Sequence, residues 1–231
     1  MGAGRRQISL TRRAARASSY NGFPHAAESP TPISRSIASL SRLKTAAAAR
    51  RLYVDRAGIV AAATQIASPN CDPRPEGERI SLLVVHNISL PPGDFGGDAI
   101  IELFTNRLDP DARADFGALA GLRVSAHFLI RRDGLLLQFV PCAMRAWHAG
   151  ASSWQGRERC NDFSIGVELE GTDLLPYADA QYAVLGRLTR ALRRRYPISD
   201  LAGHDQVSPG RKTDPGAAFD WARYRRLAAL A

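Results

Sequence analysis

Ile80-Ser81-Leu82-Leu83-Val84-Val85-His86 is a short, nearly unbroken apolar run rich in branched side chains and closed by a histidine. Such a run reads as a strand buried on both faces, because a half-exposed strand would alternate polar and apolar residues. Downstream, Phe163 to Glu170 does alternate: Ile165, Val167 and Leu169 point one way, and Gly166, Glu168 and Glu170 the other. Between these two strands, Ser125–Arg131 and Leu135–Val140 flank Arg132-Asp133-Gly134. Asp-Gly between apolar runs predicts a hairpin. Asp98 is placed to cap a helix carrying Ile100, Ile101, Leu103 and Phe104. Asp179 heads a second helix with Tyr182, Leu185, Leu188, Leu192 and Tyr196 along one side, ended by Pro197. A last amphipathic helix carries Trp221, Tyr224 and Leu227. Strands and helices interleave without an internal repeat, so the expected fold class is α+β, with a central mixed β-sheet flanked by α-helices in a single domain.

The chain has 231 residues and a formal net charge of +9, which taken alone suggests a nucleic-acid or anionic-membrane partner. The position of the charge argues otherwise. Up to Arg51 there are ten Lys and Arg and one acid, Glu28, so the whole excess lies in that segment and the remainder is balanced. No nucleic-acid or membrane partner is therefore expected for the folded part. Residues 1–52 form a basic Ala/Ser/Arg-rich extension that reads as disordered, and residues 53–231 form one folded domain. The extension is readable as a flexible tail, as a start codon placed too far upstream, or as a transit-like segment. A secretory signal needs an apolar core of about 7–15 residues. Ala46–Ala49 is too short for one, and Ile59–Ala67 is interrupted by Thr64 and Gln65. No stretch approaches the roughly 18 apolar residues of a transmembrane helix. Cys71, Cys142 and Cys160 are too few and too odd for a disulfide framework, which fits a reducing compartment.

The candidate chemistry rests on histidines and acids far apart in sequence. His86 closes a buried strand, and strand C-terminal ends are common places for sites in sheets with helices packed on them. His204 lies in Gly203-His204-Asp205, ten residues before Asp214 in Arg211-Lys212-Thr213-Asp214-Pro215-Gly216. A catalytic zinc site takes three protein ligands, usually His with one carboxylate, and keeps one position open. His86, His204 and Asp214 can supply that set, although each histidine alone is as readable as a structural residue, and Asp214 as a turn residue. Pro215 biases Asp214 toward extended backbone, where residues i and i+2 share a face, so Lys212 and Asp214 project together. Lys212 is otherwise a solvated surface lysine. Glu168 sits mid-strand, where a carboxylate is disfavoured, and reads either as a solvent-facing residue or as a general base.

Taken in order, these segments resemble the AmpD type of N-acetylmuramoyl-L-alanine amidase, within the wider family that includes phage lysozyme-type amidases and peptidoglycan recognition proteins. The resemblance is carried by Leu82-Leu83-Val84-Val85-His86-Asn87-Ile88-Ser89-Leu90-Pro91-Pro92-Gly93, Leu122-Arg123-Val124-Ser125-Ala126-His127 and Arg145-Ala146-Trp147-His148-Ala149-Gly150. It continues through Gly156-Arg157-Glu158-Arg159-Cys160-Asn161-Asp162-Phe163-Ser164-Ile165-Gly166, Val167-Glu168-Leu169-Glu170-Gly171-Thr172-Asp173, Gly203-His204 and residues 211–216. It covers the chain from about residue 56 to the C-terminus. By position it implies zinc (Zn2+) at His86, His204 and Asp214, Glu168 as acid/base and Lys212 as oxyanion partner. It sets Asn87, Arg123, Trp147 and Arg159 in the substrate groove, and His127 and His148 off the metal. It also implies a cytoplasmic, monomeric hydrolase of peptidoglycan catabolism that cuts between the muramoyl lactyl group and L-alanine of recycled 1,6-anhydro-muropeptides. Two rival readings are a peptidoglycan-binding module without catalysis, which predicts a broken ligand triad, and an exported amidase acting on intact wall.

Overall fold

The computed structural model describes residues 51–229. The basic extension therefore lies outside the described residues up to residue 50, while Leu52, at its end, is buried in the core. The strands are β1 (Thr64–Gln65), β2 (Cys71–Pro73), β3 (Leu82–Ile88), β4 (Phe128–Ile130), β5 (Leu136–Gln138), β6 (Met144–Ala146), β7 (Ser153–Trp154), β8 (Arg157–Glu158), β9 (Ser164–Glu170) and β10 (Asp200–Gly203). The helices are α1 (Ala99–Phe104), α2 (Asp179–Arg195), α3 (His204–Val207) and α4 (Trp221–Ala228). Six strands form one sheet in the order β1-β5-β4-β9-β3-β10. β4 and β5 pair antiparallel, and the other neighbours run parallel. The sheet is mixed, as the combination of hairpin and buried run predicts. β2–β6 and β7–β8 are separate two-stranded pairs.

The two central strands are covered on both faces. On one face Leu83, Val85, Ile165, Val167 and Leu169 join Leu185, Leu188 and Leu192 of α2 and Tyr224 of α4 in a common cluster. On the other, Leu82 and Val84 pack with Ala149, Cys160, Phe163, Ala202 and Val207, mostly from irregular segments rather than a helix. Farther along that second face, Leu129 packs in a cluster with Ile100, Ile101, Leu103 and Phe104 of α1. All seven residues of β9 are buried, so its polar row does not face water. Glu170 uses its carboxylate to hold main chain, accepting from Gly96 N–H at 2.6 Å and from Arg132 N–H at 3.1 Å.

The hairpin forms where Asp-Gly predicts it. Arg131 N–H donates to Leu135 O at 3.0 Å, and Gly134 turns back with φ of +85°, a conformation glycine adopts without penalty. Two predicted caps are replaced. Asp98 makes no capping bond and instead accepts from Arg131 Nη2 at 3.3 Å. Asp179 lies inside α2 and pairs with Arg223 at 2.7 Å, while Gln181 Oε1 accepts from Ala178 N–H at 3.0 Å and caps the helix. Among the described residues no helix is long and apolar enough to cross a membrane.

Leu188 is fully buried between α2 and the sheet, remote from the polar row of β9. Leu188→Ala is expected to lower the unfolding free energy by about 2–5 kcal/mol. Urea denaturation checks this as a fall in midpoint with unchanged slope.

Candidate active site

Parallel pairing places His86 of β3 directly beside Glu168 of β9, on the same face of the sheet. On the other flank of β3, Gly203 of β10 pairs with Val85, so His204 follows one row further at the start of α3. Asp214 returns from the segment after α3, its carbonyl accepting from Asp205 N–H at 2.8 Å. Three remote residues thereby meet at the C-terminal edge of the parallel strands. His86 Nδ1 lies 2.9 Å from His204 Nδ1 and 3.1 Å from Asp214 Oδ2, and His204 Nδ1 lies 3.0 Å from the same carboxylate oxygen.

The donor set fits a metal cation. His204 Nε2 is 3.2 Å from the carbonyl of Ala149, which can only accept, so the proton of the neutral ring sits on Nε2 and Nδ1 presents a lone pair. That lone pair faces a carboxylate oxygen at 3.0 Å, a repulsive contact unless positive charge lies between them. Ligands at about 2.0–2.1 Å around a tetrahedral zinc stand roughly 3.3–3.4 Å apart. The three observed separations, 2.9–3.1 Å, are close to that spacing. Burial pushes the pKa of His86 down to about 4, outweighing the neighbouring carboxylate, so the ring is neutral and able to ligate.

Glu168 stands beside this triad and differs from Glu170 two residues on. Its Oε2 is buried without a hydrogen-bond partner. Burial first, and the charge of Asp214 second, raise its pKa well above the carboxylate range, with Lys212 pulling it back in part. A carboxyl so poised, in a cleft beside a metal-ligand set, is suited to proton transfer near neutral pH.

The triad and Glu168 open into a cleft of about 400 Å³, whose wall also includes Asn87, Trp147 and Lys212. Asn87 Nδ2 donates to Asp173 Oδ1 at 2.7 Å and to the Pro215 carbonyl at 3.1 Å, bracing the strand next to Asp214. Trp147 Nε1 donates to Asp72 Oδ1 at 3.0 Å, which fixes the ring against the cleft. Lys212 is exposed at the rim. Arg123 is exposed between Leu122 and Val124, two residues of the wall, without itself lining it. Arg159 also stands outside the wall, 68% exposed, with its Nε paired with Asp162 at 3.2 Å. Sequence reasoning missed the braces. Arg145 bonds both Asp72 and Asp162, and His148 Nδ1 lies 2.9 Å from His86 Nε2. Asp72 and Trp147 are 75 residues apart, and no local pattern marks the pair.

Comparison with known proteins gives a consistent result. The family model described as N-acetylmuramoyl-L-alanine amidase matches residues 76–217. The 1,6-anhydro-N-acetylmuramyl-L-alanine amidase AmpD of Citrobacter freundii is 60% identical over 172 residues, covering 74% of this chain and 92% of the relative. The enzyme of the same name from Escherichia coli K12 is 59% identical over 172 residues, covering 74% and 94%. The crystal structure of a selenomethionine AmpD derivative superposes with a TM-score of 0.74 at 60% identity, covering 75% of this chain and 98% of that one.

The buried Glu168 generates a pH prediction for metal-free protein. Its folded pKa lies above the unfolded value of about 4.5, so the folded state binds the extra proton and loses stability as pH rises through the window above 4.5. Glu168→Gln removes that loss. The variant is expected to gain stability over the parent at pH 7 relative to pH 4, as read by thermal melts in chelator at both pH values. An equal offset at the two pH values refutes the assignment.

Proposed function

The chain belongs to the N-acetylmuramoyl-L-alanine amidase family, and from that premise we propose that it is a zinc hydrolase of 1,6-anhydro-muropeptides in cell-wall recycling. The bond cut joins the muramoyl lactyl carbonyl to the nitrogen of L-alanine. The reading is supported by the AmpD relatives, which this chain matches over nearly their full length. One observation carries its chemistry: three metal-ligating atoms within 3.1 Å of one another, beside a buried carboxylate oxygen that nothing else engages.

His86, His204 and Asp214 hold the metal in this reading. Zinc held there would supply a Lewis acid for the scissile carbonyl and make a bound water more acidic. Glu168 takes the proton from the attacking water as its oxygen adds to the carbonyl carbon. It returns the proton to the alanine nitrogen as the C–N bond breaks, so the leaving group departs as a neutral amine. Lys212, on the rim beside Asp214, donates to the oxyanion of the tetrahedral transition state. Loss of such a donor typically costs roughly 10²–10³ in rate. The ring of Trp147 offers an apolar surface to the sugar, and Asn87 a polar wall. Arg123 and Arg159 supply positive charge for the carboxylates of the peptide.

The proposal extends to a cytoplasmic monomer with the anhydro-muropeptide as its only partner. It is supported by the motifs shared with the AmpD type and by three free cysteines. The basic extension, residues 1–52, is dispensable for hydrolysis by the domain formed by residues 53–231.

The test incubates purified protein with anhydro-muropeptide and with intact sacculi, with and without chelator, and identifies products by mass spectrometry. Release of free peptide from the anhydro-muropeptide, abolished by chelator and restored by zinc, is the expected result. Preference for sacculi shifts the reading to a wall-lytic amidase, and full turnover in chelator removes the metal. His86→Ala is expected to lose zinc and activity together. Glu168→Ala is expected to keep zinc but turn over roughly 10²–10⁴ times more slowly.

A further inference from the structure

The site-facing row of β9 reads Ser164, Gly166, Glu168, and only Glu168 belongs to the chemistry described above. The other two residues form a seat for His148. Its Nδ1 is 2.9 Å from His86 Nε2, and its Nε2 is 3.2 Å from Ser164 Oγ. The ring lies flat on Gly166: a Cβ at that position would stand 2.5 Å from His148 Cγ, so any other residue there would displace it. The neighbouring carbonyl, that of Ala149, is 3.2 Å from His204 Nε2. Both amides of this dipeptide are held from behind, since Asn161 Oδ1 accepts from His148 N–H at 3.2 Å and from Ala149 N–H at 2.8 Å. One anchored dipeptide thus reaches the rear nitrogen of both imidazoles whose front nitrogens converge with Asp214.

We propose that His148-Ala149, clamped by Asn161, is a positioning element that holds His86 and His204 with their protons on Nε2 and their Nδ1 lone pairs turned to the metal. The inference rests on the zinc reading given above. His86 Nε2–H donates to His148 Nδ1, His148 Nε2–H donates to Ser164 Oγ, and His204 Nε2–H donates to the Ala149 carbonyl. An imidazole whose rear N–H is held this way loses neither its tautomer nor its orientation when the metal leaves. Rear hydrogen bonds of this kind commonly change metal affinity by about 10- to 100-fold.

The test measures zinc dissociation by competition with a chromophoric chelator, and reads imidazole tautomers by long-range 1H–15N correlation in the metal-free protein. The parent is expected to show His86 and His204 protonated on Nε2. His148→Leu is expected to bind one equivalent of zinc at saturation but about 10- to 100-fold more weakly. His148→Asn, whose amide oxygen can stand where Nδ1 stood, is expected to recover most of that loss. Asn161→Ala is expected to weaken zinc binding with the His148 side chain intact, and it decides the matter if His148→Leu does not fold. Parental zinc affinity in both His148→Leu and Asn161→Ala, or an Nδ1 proton on His86 in the parent, overturns the proposal. A parent that takes up no zinc defeats the functional reading instead, and the tautomer spectra still decide this one.

Discussion

Three electron-pair donors, two ring nitrogens and a carboxylate oxygen, are forced within 3.1 Å of one another in a largely buried place. Without a cation between them the contact is repulsive, and a flexible chain would relax it by rotating side chains. The surrounding structure prevents that. His86 is set by its strand, His204 by the first turn of α3, and Asp214 by a segment tied back to Asp205 and Asn87. The parallel register of β3 with β9 then delivers Glu168 to the same place at no further conformational cost. Such convergence is stable only where the rest of the fold over-determines it, and here the sheet core does so with Leu83, Val85, Ile165 and Val167 on its opposite face.

The polar row of β9 shows how one strand divides its burden. Glu170 is buried but answered by two main-chain amides, so it fastens the hairpin turn and the segment before α1. Glu168 is buried and left with a bare oxygen. Similar side chains two residues apart become a fastener and a candidate base because their partners differ, not their depth. Gly166, two residues before Glu168, leaves a hole shaped for an imidazole ring. Stability lost at Glu168 is offset by the apolar face of the same strand.

Much of this architecture was legible in the sequence because it depends on local pattern. The apolar run ending at His86 and the alternation through Leu169 predict the two central strands, and Asp-Gly predicts the hairpin. The helix caps at Asp98 and Asp179 were not legible, since tertiary partners, Arg131 and Arg223, captured those carboxylates. Alternation also left the polar face of β9 open to water or to a site. Burial of that face by irregular chain has no periodicity to announce it. The braces were hidden for a related reason: Asp72 with Trp147, and Asn161 with His148, are ordinary polar residues until the fold brings them together. Arg159, which the resemblance sets in the substrate groove, is exposed beside the cleft and paired with Asp162.

The charges of the cleft complete the argument. Asp214 is ionised and Glu168 ionises with a raised pKa, while Lys212 contributes one positive charge nearby. Once Glu168 ionises beside neutral imidazoles, the two carboxylates outweigh Lys212, an excess of negative charge that would oppose an oxyanion. A divalent cation among the three donors would reverse that sign, and it would also lower the proton affinity of Glu168, leaving the carboxylate available as a base at neutral pH. The same occupancy therefore satisfies two needs at once: attraction for the developing oxyanion and readiness of the proton acceptor.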